Sequence, residues 1–372
     1  MSEASPAHLA PYVTGGAFLL AFIFGAVGNK TRFCTMGAVS DWINMGELSR
    51  MRMWLLAVAV ALAGSSALHL AGIVDLSKSI YPGPNFTWLS YLVGGFLFGV
   101  GMTLGSGCGS KTLIRIGAGS LKSLVVYVFL GIAAYMTLRG VFGAFRVGVL
   151  EKAAITLPTG QDLPSLLSFS TSIGKGAWIA ILAAVIAGGM LVFIYRSKEF
   201  RSTFDYTLGG VVTGLVVVGG WYVSGHIGHV AEDPNTLQEA FVATNTGRME
   251  SFSFVSPLAF TLEYLMLWTD KSKVITYGIA SAAGVIAGSA AYALASRTFR
   301  WEGFRDAEDT ALHVLGGILM GFGGITALGC TIGQAITGFS TLALGSIMTF
   351  AAIVAGSAAT MKWQYWRLTR QG

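Results

Sequence analysis

Residues 94–108, GGFLFGVGMTLGSGC, and residues 316–330, GGILMGFGGITALGC, carry one pattern written twice. They align without a gap. The Gly-Gly pairs, Gly99 and Gly321, Gly101 and Gly323, Gly107 and Gly329, and Cys108 and Cys330 all coincide. Gly25 precedes Cys34 by the same interval that separates Gly99 from Cys108. A fourth Gly-Gly-x-x-x-Gly opening stands at Gly209, Gly210 and Gly214, with Val223 in the cysteine position beside Ser224, Gly225 and His226. Small-x-x-x-small spacings serve as packing seams in many membrane helices. A cysteine at the end of each full copy asks for more than packing. Such internal similarity is read before single motifs because it sets the architecture. Here it gives four units, each a span that runs into a glycine-bearing break and then a short half-helix.

Composition names the solvent. Only 11% of the 372 residues are charged, 53% are hydrophobic and mean hydropathy is +0.66. A soluble chain of this length would need more polar surface, and a disordered one more charge. Fifty glycines without a G-X-Y period exclude collagen. The net charge of +6 is read as the Lys/Arg excess of cytoplasmic loops, not as a nucleic-acid footprint. The segment MSEASPAHLAPYV has neither a basic n-region nor a cleavage site, so no removable leader is expected.

A bilayer-spanning helix needs about 20 apolar residues. Segments 12–28, 53–74, 86–105, 121–142, 176–195, 205–223, 273–295, 310–329 and 342–361 qualify. Segments near 29–46, 106–119, 251–268 and 330–341 are apolar but short and broken, as re-entrant pieces are. The expected fold is an all-α polytopic membrane protein with about nine transmembrane helices and four re-entrant half-helix loops. Residues 1–142 form a first half-repeat and residues 205–372 a second, which carries the insert 224–250. Residues 143–204 link them through an outer loop and one joining helix. The segment 52–71 also resembles 274–294 (AVALAGSSAL against AGVIAGSAAY). An odd number of spans separates matching elements, so the halves are inverted, a transporter arrangement. With the C-terminus cytoplasmic and the N-terminus outside, most Lys and Arg fall inside. Only Lys78, Arg146, Lys152, Lys175, Arg248, Lys271 and Lys273 lie outside, and Arg139 sits at a span end, as the positive-inside rule requires.

Each cysteine sits in a short turn: Gly28-NKTRF-Cys34-TM-Gly37, Gly105-SG-Cys108-GSK-Thr112 and Gly329-Cys330-TIG-Gln334. Glycines there are expected to supply positive φ and close backbone approach. Free N–H groups at the start of each half-helix would favour an anion. Supporting residues are Arg32, Gly37, Gly107, Gly109, Lys111, Gly329, Thr331, Gly333 and Gln334. Basic residues at the inner mouths would draw an anion in. GSGCGSKT resembles a phosphate loop but has Ser110 where Gly must precede the lysine. His226 and His229 read as loop residues, and the acidic insert 224–250 as a solvated cover. There is no CxxC and no dense Cys/Met/His cluster, so no metal or cofactor is expected.

Arg32-Phe-Cys34 with Gly37-Ala38 and Asp41, Gly107-Cys108-Gly109 after its glycine run, and Gly329-Cys330-Thr-Ile-Gly333 together resemble the YeeE/YedE sulfur-transport family. The similarity spans nearly the whole chain. The resemblance implies a bacterial inner-membrane, hourglass-shaped permease that is not an enzyme and takes up thiosulfate or a related small sulfur oxyanion. It implies that the three loop cysteines contact the ion in turn along a central path. Cys330 would come first from outside, Cys108 next and Cys34 last. Such a permease leaves room for a small sulfur-carrier protein at the basic cytoplasmic face. A membrane thiol or persulfide sulfurtransferase, a redox protein and a selenium-species transporter stay open as alternatives.

Overall fold

The computed structural model describes residues 6–233 and 236–371. Residues 1–5, within the stretch read as lacking a leader, two positions of the insert and Gly372 lie outside the described residues. The helices in the first part are α1 (Pro6–Lys30), α2 (Thr35–Ser40), α3 (Ser49–Leu70), α4 (Trp88–Leu104), α5 (Gly109–Gly117), α6 (Leu121–Arg139) and α7 (Val141–Phe145). Those that follow are α8 (Leu163–Ser170), α9 (Lys175–Tyr195), α10 (Lys198–Ser202), α11 (Phe204–Tyr222), α12 (Ser256–Met266), α13 (Tyr277–Ala295), α14 (Ala307–Thr326) and α15 (Leu344–Gln371). The strands among the described residues are two antiparallel pairs of two residues each, Asn85–Phe86 with Ile155–Thr156 and His229–Val230 with Ala240–Phe241.

This is an all-α polytopic membrane fold. Eight described helical segments are long and apolar enough to cross a bilayer. The ninth expected span coincides with α14, a helix of 20 residues. It falls short on apolar composition because Asp309, His313 and a run of glycines dilute its leucines and isoleucines. Large apolar side chains such as Leu19, Phe96, Leu124, Ile132, Val185 and Val192 are exposed. On a soluble protein they would be a liability; on a span they are the face that meets lipid. Helix α9 is the least buried of the spans. It buries Ile179, Ala183, Ala187 and Ile194, one stripe at helical spacing, and packs chiefly on α3.

The main helix pairs join early residues to late ones. α1 lies on α13 and α3 on α11; α4 lies on α15 and α6 on α14. α4 also meets α14, and α1 meets α11. Glycine makes these approaches possible. Across the α4–α14 seam a Cβ on Gly94 would stand 2.7 Å from the Gly323 carbonyl oxygen. One on Gly101 would stand 2.7 Å from that of Gly316. No side chain fits in either gap. Without a hydrophobic drive between helices in lipid, dispersion at such close range holds them together. The shorter elements pack between these helices: α5 on α13 and α6, α12 on α6 and α13, and the turn 333–338 on α15 and α3.

Candidate functional site

The three spans that precede a cysteine end in the same way. Phe33 N–H donates to Gly28 O (3.1 Å), Gly107 N–H to Met102 O (2.9 Å) and Gly329 N–H to Gly324 O (2.7 Å). One residue earlier, Arg32, Ser106 and Leu328 bond back by three residues and adopt φ of 53°, 58° and 59°. Each is a Schellman ending with a left-handed residue. Glycine is the usual occupant. Gly28, Gly105 and Gly107 do not take this role; it falls on Arg, Ser and Leu, two residues before each cysteine, while Gly329 itself carries a φ of 158°. A non-glycine residue there costs roughly 1–2 kcal/mol, so the packing around the turns must hold it. Each cysteine then opens the next helix. Its carbonyl accepts the first helical bond, from Ala38 (3.0 Å), Thr112 (2.9 Å) and Gln334 (2.7 Å).

All three thiols are buried and free. The sulfurs of Cys34 and Cys330 act as N-caps. Gly37 N–H donates to Cys34 Sγ at 3.3 Å, and Gly333 N–H to Cys330 Sγ at 3.3 Å. Phe254 N–H adds a second bond to Cys330 Sγ at 3.3 Å. The helix-start N–H groups expected to face an anion directly are therefore partly spent on sulfur. A thiol that accepts through sulfur still has its S–H to donate. Cys108 lacks such a cap and pairs with Ser110 Oγ at 3.3 Å. Cys34 and Cys330 each lie within electrostatic reach of Cys108.

The supporting glycines mark where other chain crowds the turns. A Cβ on Gly109 would collide with the Phe254 carbonyl, and one on Gly333 would come 2.5 Å from Ser253 Oγ. One on Gly37 would stand 2.6 Å from Arg50 Nη1, and one on Gly107 3.0 Å from Lys111 Cγ. Gln334 is a clamp: its amide donates to Ala327 O and its oxygen accepts from Ser346 Oγ at 2.6 Å. That ties the third turn to α15. Thr331 Oγ1 and Thr35 Oγ1, each next to a cysteine, are buried without a hydrogen-bond partner. Arg32 is exposed.

Residues 251–255, just before α12, form a fourth loop among the cysteine turns. Phe254 stacks on Phe24 (5.8 Å between ring centroids) and Thr337 Oγ1 donates to Phe252 O at 2.7 Å. Sequence placed a broken segment here but assigned it no contacts, because it has no cysteine and no glycine pair to align. Arg50 was also missed. Its Nε bonds the buried Asp41 carboxylate at 3.0 Å, bracing the Cys34 turn from α3. Of the basic residues near the turns, Arg115 is latched to Glu302 (3.1 Å) and Lys30 to Asp205 (3.7 Å). Lys111 lies within reach of Cys34 and Cys108. His226 is exposed and stacks on Tyr222, while His229 pairs with Glu239 at 2.6 Å. Among the described residues, no three His, Cys, Asp or Glu side chains are grouped to hold a metal.

Three buried thiols at repeated helix breaks thus sit inside a polytopic membrane bundle. The family model for sulphur transport matches residues 30–359, and the chain belongs to that family. It is similar to the thiosulfate transporter TsuA of Escherichia coli (strain K12), with 27% identity over 349 residues, 92% of this chain and 87% of that protein. It is similar as well to the thiosulfate transporter TsuA of Spirochaeta thermophila, with 25% identity over 360 residues, 94% of this chain and 98% of that protein.

Proposed function

We propose that this chain imports thiosulfate across a bacterial inner membrane and that Cys330, Cys108 and Cys34 contact the ion in that order. The backbone ending shared by the three cysteine turns is the observation that carries the reading. Thiosulfate has a soft terminal sulfur and a double negative charge. Thiol S–H donors replace its water without a fixed positive charge beside every thiol. A buried arginine at each step would hold a dianion too well, and conduction needs sites weak enough to leave. The relatives' printed activity supports the substrate.

In this reading residues 1–142 and 205–372 are inverted repeats joined through 143–204. The exchanged pairing of α1–α13 with α3–α11, and of α4–α15 with α6–α14, supports that. The N-terminus is outside, the C-terminus is cytoplasmic, and the inner mouth near Lys111 is where a sulfur-carrier protein would collect the cargo.

The test is uptake of labelled thiosulfate by cells lacking other sulfur importers. Wild type should import it, and Cys108→Ala should lose at least ten-fold in rate with normal membrane expression. Unchanged uptake by Cys108→Ala sinks the relay. A stable persulfide on Cys108 during turnover would instead favour a sulfurtransferase.

A further inference from the structure

A small cavity of about 40 Å³ lies against the Cys330 turn, lined by Tyr81, Glu250, Ser251, Ser253, Tyr277 and Leu328. Leu328 is the left-handed residue of that turn, and Ser253 is next to Phe254, which donates to Cys330 Sγ. The room suits one or two waters or one end of a small ion. Tyr277 is 1% exposed, and its hydroxyl lies beside that of Ser251 without a hydrogen bond of good geometry. Thr246 at the rim is exposed.

Glu250 is the odd member. A carboxylate beside an anion path repels what the path must admit. Its Oε1 accepts all three of its hydrogen bonds, from Asn245 N–H (3.1 Å), Thr246 N–H (2.9 Å) and Thr246 Oγ1 (2.7 Å). Its Oε2 takes none of them. Among the described residues no Lys, Arg or His forms an ion pair with it, in contrast to Asp41, Asp162 and Glu263. The titratable groups around it are Tyr81 from the loop before α4, Tyr277 from α13 and, beyond Tyr81, Cys330. None supplies a positive charge. We infer that Glu250 is a proton-operated gate: ionised, it turns the dianion away from the outer cavity, and protonated at Oε2 it admits it.

Burial pushes the Glu250 carboxyl above the ordinary range, against the opposing hydrogen bonds from Thr246 and Asn245. The protonated form therefore gains ground as the external pH falls, and uptake should rise. Thiosulfate itself protonates only in strong acid, so the substrate does not produce this slope.

The inference rests on the thiosulfate reading, and the experiment separates the two. Initial uptake is measured in proteoliposomes at clamped potential, with the external pH stepped from mildly alkaline to mildly acidic. Wild type should speed up, by up to about ten-fold per pH unit above the midpoint, as for one protonation. Glu250→Gln keeps the Oε1 acceptor and should be fast and flat. Thr246→Val removes a bond that favours the carboxylate, so its profile should move to higher pH. A wild-type slope retained in Glu250→Gln, or a flat wild type, overturns the gate. If Glu250→Gln does not fold, an unmoved Thr246→Val profile overturns it instead. If wild type carries selenate and not thiosulfate, the substrate reading fails, and the same comparison run with selenate still decides on Glu250.

Discussion

The Cys34 turn and the Cys330 turn share a backbone and differ in what braces them. At Cys34 the brace is ionic: Arg50 from α3 reaches the Asp41 carboxylate and abuts Gly37. At Cys330 it is neutral: Gln334 holds Ala327 O and Ser346, Phe254 N–H holds the sulfur, and Thr337 holds Phe252 O. One loop shape can be kept by charge or by hydrogen bonds. The Cys34 turn keeps a guanidinium and Lys111 within electrostatic reach of its thiol; among the described residues the Cys330 thiol has no such cation and Glu250 is nearby. In the proposed direction of transport, an anion would pass from a cationless turn to one with cations within reach.

The largest expected effect is on the ionic brace. Arg50→Gln strands a buried carboxylate, at a cost of about 3–5 kcal/mol. The folded yield in detergent should collapse, and Asp41→Asn added to it should restore most of the protein. Normal yield from Arg50→Gln alone would show that the pair does not brace the turn.

Next come the crowding glycines. Gly109→Ala pushes a methyl into the Phe254 carbonyl, and overpacking of this kind costs roughly 1–3 kcal/mol. Gly37→Ala meets only the movable end of Arg50. Thermal unfolding and uptake should both suffer more from the first. Equal losses would mean that the turns are softer than their backbone contacts imply.

A smaller difference separates the two capped sulfurs. Cys330→Ala orphans two buried N–H groups, those of Phe254 and Gly333, and Cys34→Ala orphans one. Each orphan costs about 1–3 kcal/mol, so Cys330→Ala should unfold at the lower temperature. The reverse order would discard the capping role. Smallest is Leu328→Gly, which relieves the left-handed strain but adds chain entropy to the unfolded state. A net gain below about 1 kcal/mol is expected, read as a slight rise in melting temperature. A clear fall would show that the leucine side chain is needed to hold the turn.

The spans and cysteine turns were legible because lipid and glycine leave strong marks. Twenty apolar residues in a row and a GG-x-x-x-G run ending in cysteine survive in any alignment of the chain with itself. The exchanged helix pairs were not legible, since small residues announce a seam but not its partner. Positive φ was misplaced for a related reason. Glycine at 105 and 107 looked like the turn residue, yet packing against neighbouring helices lets Ser106 take it. Phe252–Phe254 and Arg50 act through backbone groups and a distant salt bridge, and neither leaves a pattern in one sequence.

The α4–α14 seam has a consequence for motion. Cys108 and Cys330 follow two helices that touch peptide to peptide where Gly94 meets Gly323 and Gly101 meets Gly316. Side-chain repacking at those two contacts therefore cannot change how far apart the two helices stand. Their separation is a fixed gauge, set by main-chain thickness, and it vibrates only as stiffly as the two backbones allow. What remains free to change along the proposed path is local: a cysteine side chain turning about its Cα–Cβ bond, a tyrosine hydroxyl turning, a proton on a carboxyl oxygen.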